Sequence, residues 1–69
     1  ILFSRVAIIG LGLLGSSLAR AMRMQHMCET IVGFDQNSQH MEYCQKEAIT
    51  DVCAGSAAEA VSGCDLVVL

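Results

Sequence analysis

Arg5-Val6-Ala7-Ile8-Ile9-Gly10-Leu11-Gly12-Leu13-Leu14-Gly15-Ser16-Ser17-Leu18-Ala19-Arg20-Ala21 is the stretch on which the reading of this chain turns. Its first five residues form a short apolar run with β-branched side chains. Such a run reads as a strand buried on both faces, as in a parallel sheet. Gly10 ends it, and Gly10, Gly12 and Gly15 stand in the spacing G-x-G-x-x-G. A helical pattern follows over residues 13 to about 27. Leu14, Leu18, Met22 and Gln25 fall on one stripe, expected to face the core, with Arg20 and Arg23 on the other side.

Working outward, residues 30–34 (Thr-Ile-Val-Gly-Phe) predict a second strand that ends at Asp35. Asn37 is a good cap for a helix running to about residue 47. That helix would turn Met41, Cys44 and Ala48 inward and pair Glu42 with Lys46 on its outer face. Residues 50–54 predict a short third strand, broken by Gly55. Ser56 and Glu59 form a capping box for a short helix, and Gly63 stands where a left-handed C-terminal cap is wanted. Residues 65–69 predict a fourth strand, with Asp65 marking its start. Strands alternating with helices imply an α/β fold, a Rossmann-like doubly wound parallel sheet with right-handed crossovers. Four strands are only part of such a full sheet, so residues 1–69 read as its N-terminal part.

The chemistry lies in the glycine turn. After a strand and at the start of a helix, G-x-G-x-x-G is the dinucleotide-binding fingerprint. Gly10 permits the tight turn, Gly12 leaves room for a pyrophosphate against the backbone, and Gly15 lets helix and strand pack closely. The helix N-terminus presents amide donors and a positive dipole end to the phosphates, so no basic side chain is required. Gly10, Leu11, Gly12, Leu13, Leu14 and Gly15 are therefore the expected cofactor-binding residues, with Asp35. The carboxylate of Asp35, 20 positions after Gly15, is placed to accept hydrogen bonds from the adenosine ribose. It would repel a 2′-phosphate, and Gln36, Asn37, Ser38 and Gln39 bring no Arg or Lys to bind one. NAD is expected over NADP.

Composition narrows the alternatives. The 69 residues are 54% hydrophobic and 16% charged, with a net charge of −3. This is too apolar for disorder and too acidic for a nucleic-acid surface. No apolar run reaches the roughly 18 residues of a membrane-spanning helix. So apolar a chain, opening at Ile1 and stopping at Leu69 within an apolar run, is expected to be part of a larger protein. Cys28, Cys44, Cys53 and Cys64 form no C-x-x-C pair and read as reduced thiols that pack as small hydrophobes. That usage points to a cytoplasmic protein. His26 and His40 read as surface histidines, Asp51 as a solvated carboxylate and Tyr43 as a half-buried helix residue. No metal site is expected.

The opening run resembles that of prephenate and arogenate (cyclohexadienyl) dehydrogenases. The likeness continues through Val32-Gly33-Phe34-Asp35-Gln36-Asn37, Glu47-Ala48-Ile49-Thr50-Asp51 and Cys64-Asp65-Leu66-Val67-Val68-Leu69. Ser17-Leu18-Ala19 after the third glycine is not demanded by nucleotide binding in general. Ser16 and Glu47 stand where that family usually has glycine. The resemblance implies NAD-dependent oxidative decarboxylation of prephenate or arogenate in tyrosine biosynthesis. It also implies a C-terminal helical domain and a homodimer. The histidine and arginine it implies for catalysis lie outside these residues, so no catalytic residue is expected here and residues 1–69 alone are expected to be inactive. The alternatives are a β-hydroxyacid-type dehydrogenase, whose opening is similar but usually has Met at the position of Leu14, and a non-catalytic NAD-sensing regulatory domain.

Overall fold

The apolar run around Ile8 is the central strand of a four-stranded parallel sheet in the computed structural model, which describes residues 1–69. The elements in order are β1 (Phe3–Ile9), α1 (Leu13–Met24), β2 (Cys28–Phe34), α2 (Ser38–Lys46), β3 (Val52–Cys53), α3 (Ala57–Val61) and β4 (Leu66–Val68). The sheet order is β3-β2-β1-β4. β1 pairs with β2 from Phe3↔Cys28 to Ile9↔Phe34 and with β4 from Val6↔Leu66 to Ile8↔Val68. The expected α/β, Rossmann-like doubly wound architecture is thus observed. Strands one and two begin two residues earlier than their apolar runs suggested, and α1 stops three residues sooner.

Alternation along β1 and β2 divides the core into two layers. Val6, Ile8 and Ile31 pack with Leu11, Ala19, Met22, Cys44 and Ile49 on the face covered by α1 and α2. Val32 packs with Ala54 and Ala60 on the α3 face, joined by Ile9, Phe34 and Cys64. Strands covered on both sides have no solvent face, which is why their sequences are near-continuous apolar runs.

Two helix faces differ from the sequence reading. In α1 the buried residues are Ser16, Ala19 and Met22, while Leu14 is 85% exposed and Leu18 lies at the surface. The cause is steric: a Cβ on Gly15 would lie 1.8 Å from the Gly10 carbonyl oxygen, so the helix rides directly on the β1 end and admits only small side chains there. Ser16 satisfies its hydroxyl by donating to the Gly12 carbonyl at 2.8 Å. At the end of α2, Ala48 takes φ +55 and is exposed, and Ile49 turns inward in its place.

Polar contacts lock the frame. Asp51, expected to be solvated, accepts from the Ile31 amide at 2.8 Å and from Arg23 Nη2 at 3.0 Å. Burial pushes its carboxyl up, but the Ile31 amide and the Arg23 guanidinium outweigh that and hold it below the ordinary range. Asp65 accepts from the Ser4 amide at 2.7 Å, tying the start of β4 to β1. Ser56 caps α3 through the Glu59 amide, while Glu59 reaches back to the amide of Gly55 rather than that of Ser56. Gly63, at φ +73, turns the chain out of α3. Glu42 and Lys46 form no ion pair; Arg23 pairs with Asp51, and His40 Nδ1 lies 3.2 Å from Asp35 Oδ2. All four cysteines are free, and burial pushes the Cys44 thiol up. No helix is long and apolar enough to cross a membrane.

Candidate functional site

The site is assembled where the sheet changes direction. β1 is flanked by β2, which follows it, and by β4, which returns from the other face. At such a switch point the carboxyl ends of neighbouring strands diverge and leave a crevice. Gly10 stands at that end of β1 with φ +102, a backbone that L side chains rarely adopt. Gly12 is the N-cap of α1 and brings no side chain to the first-turn amides of Leu13, Leu14 and Gly15. A Cβ on Gly12 would point into open groove, with only His40 Cε1 within 4 Å, at 3.7 Å. An extended anion therefore has both donors and space along this backbone.

Asp35 stands at the adjacent end of β2, and the fold ties it to the turn. Its Oδ2 accepts from the Leu11 amide at 2.6 Å, and its Oδ1 accepts from the Asn37 amide at 2.7 Å. The Asn37 and Leu11 amides hold its carboxyl below the ordinary range, so it is an anion at neutral pH. The next turn is fixed as expected: Asn37 Oδ1 accepts from the amides of Gln39 and His40.

Three open hollows meet on the turn. One of about 430 Å³ lies between Gly10, Gly12, Leu13, Leu14 and Gly15 on one side and the end of β4 at Val68 and Leu69 on the other. A second, of about 300 Å³, runs from Ile9 and Gly10 past Phe34, Asp35 and Gln36 to Ala57. The third, of about 370 Å³, lies between α1 and α2, lined by Gly12, Ser17, Arg20, His40 and Tyr43 among others. The structure thus brings together Gly10, Leu11, Gly12, Leu13, Leu14, Gly15 and Asp35. Leu11 enters in two ways: its amide binds Asp35, and its side chain is buried beneath the turn.

The sequence reading did not find His40. Its Nδ1 lies 3.2 Å from Asp35 Oδ2. The spacing Asp-x-x-x-x-His across an Asn-capped helix start was the available signal, because the first turn of α2 folds back toward the end of β2. Arg20 was also passed over. It donates to the Tyr43 hydroxyl at 2.9 Å and borders the same hollow as His40. His26 is exposed behind the C-terminus of α1 at φ +53, away from the site.

A glycine turn with free helix amides, a fixed carboxylate one strand away and open grooves on either side suit a dinucleotide, its pyrophosphate on the turn and its ribose on the acid. No curated protein matches the chain. Residues 5–69 match the family described as NADP oxidoreductase, coenzyme F420-dependent. The chain belongs to that family, as an NAD(P)-binding oxidoreductase domain with a Rossmann-like fold.

Proposed function

We propose that the chain is the cofactor-binding part of an NAD-dependent dehydrogenase that oxidatively decarboxylates prephenate or arogenate. The observation that carries cofactor binding is the Asp35 carboxylate held on the Leu11 amide, which couples the ribose acceptor to the phosphate turn. In this reading the amides of Leu13, Leu14 and Gly15 receive the pyrophosphate, Gly12 admits it, and Asp35 accepts from the adenosine ribose. Asp35 also supports NAD over NADP at neutral pH, since its charge opposes a 2′-phosphate.

When bound, the nicotinamide supplies the hydride acceptor for oxidation at the hydroxyl-bearing ring carbon, with loss of the ring carboxylate as CO2. This chain's residues orient that acceptor. The hollow beside Leu13, Leu14 and Leu69 is apolar on both walls and suits the water-poor end of the site. The substrate class rests on the resemblance of Ser17-Leu18-Ala19 and of the strand-end motifs. Further strands beside β4 and a helical domain pairing two cytoplasmic subunits complete the proposal. The exposed side chains of Leu13 and Leu14 and the half-exposed Val67 are consistent with a larger protein covering this face.

Calorimetric titration of the protein with NAD tests the binding part. Asp35→Ala should weaken NAD by about 1–3 kcal/mol, the range for hydrogen bonds to a charged group. Unchanged affinity would remove Asp35 from the site. Reduced-cofactor absorbance with prephenate and with arogenate tests the substrate. Turnover of neither by the whole enzyme would leave the dinucleotide reading standing and end the substrate assignment.

A further inference from the structure

Asp35 has few free acceptor positions. A carboxylate offers about four lone-pair sites. In this structure Leu11 and His40 approach Oδ2, and Asn37 donates to Oδ1. A ribose diol brings two hydroxyl donors. The Leu11 and Asn37 bonds come from backbone amides fixed by the turn and by the start of α2. The His40 side chain is the movable partner, with 44% of its surface exposed. A ribose seated on Asp35 through both hydroxyls must therefore compete with His40.

His40 also borders a hollow beside the phosphate turn. Its ring edge is 3.7 Å from the position of a Gly12 Cβ, and it shares the hollow between α1 and α2 with Ser17, Arg20 and Tyr43. The groups around it are few. Asp35 faces it from the end of β2. Arg20 from α1 and Tyr43 from α2 line the same hollow, joined to each other. One cation-capable side chain, His40, thus lies beside the carboxylate that would otherwise repel the phosphate, and Arg20 shares its hollow.

Resting on the dinucleotide reading above, we propose that His40 sets the choice between NAD and NADP according to its protonation. A neutral His40 donates one hydrogen bond to Asp35 and yields it to the ribose diol. A protonated His40 holds Asp35 as an ion pair, which disfavours the 2′-hydroxyl of NAD. The same cation neutralises the carboxylate and offers a charge-assisted bond to the 2′-phosphate of NADP. Falling pH therefore weakens NAD and favours NADP.

The test is titration of the protein with NAD and with NADP from pH 5.5 to 8.5, for the native chain, His40→Gln and His40→Lys. The phosphate itself gains charge in this window, with a second pKa near 6, so the glutamine variant supplies that background. The native affinity ratio of NADP to NAD should rise about tenfold more on acidification than in His40→Gln, the scale of one charge-assisted bond. NAD affinity should fall in acid for the native chain and stay flat in His40→Gln. His40→Lys should hold the ratio high at every pH, with only the background slope. A glutamine variant with the native pH profile would overturn the assignment to His40 while leaving dinucleotide binding intact. Failure of every form to bind either dinucleotide would overturn the binding reading, and this inference with it.

Discussion

At the scale of single residues, the glycines separate turn geometry from ligand space. Gly12 is the informative one, because a side chain there meets only His40 at an ordinary contact distance. Gly12→Val should keep the fold, with far-UV circular dichroism nearly unchanged, and lose NAD and NADP binding by titration. Retained affinity would make Gly12 only a turn residue. Gly15 differs, since its Cβ would overlap the Gly10 carbonyl. Gly15→Ala should cost stability, about 1–3 kcal/mol as for other overpacked sites, read as a lower urea midpoint. The turn and Asp35 were legible in the sequence because their relation is one of spacing along a strand-turn-helix unit. His40 was not. A search for cations after Asp35 that stops at Gln39 ends one residue short of it, and Arg20 reaches the same hollow from another helix.

At the scale of elements, alternation of apolar runs with helical patterns was enough to give four parallel strands, while their order in the sheet, β3-β2-β1-β4, came from the structure. What it misjudged was the inward face of α1. Hydropathy favours Leu14 and Leu18, but close approach of the helix to the end of β1 selects Ser16 and Ala19. The contact distance between two backbones is not visible in residue hydrophobicity. Asp51 was misjudged for a related reason, since its partners come from β2 and α1. Asp51→Ala should destabilise by about 1–2 kcal/mol, chiefly by leaving the Ile31 amide without its acceptor. The exposed Arg23 pair adds little, because water screens it. Chemical denaturation of the variant beside the native chain reads this directly.

At the scale of the whole molecule, two carboxylates held below their ordinary range contribute to the acid dependence of stability. A depressed folded pKa contributes stability in full above the unfolded value, about 3.9 for Asp. The contribution is lost as pH falls through the lower folded values. Urea midpoints should therefore be steady above about pH 5 on this account and drop toward pH 2. Asp51→Asn should show a shallower drop, and an unchanged slope would remove Asp51 from the acid response.

The tether between Ser4 and Asp65 also bears on how the chain reaches its native state. The pairing Val6↔Leu66 joins residues 60 positions apart, whereas β1 and β2 are joined through one intervening helix. Loop closure of that length is paid before its contacts reward it, so docking of β4 belongs late on the folding route. The Asp65 carboxylate bond to the Ser4 amide then acts as a latch on the last strand to arrive. Asp65→Ala should raise the unfolding rate and leave the refolding rate nearly unchanged in stopped-flow chevrons. A slowed refolding limb would instead place β4 in the nucleus.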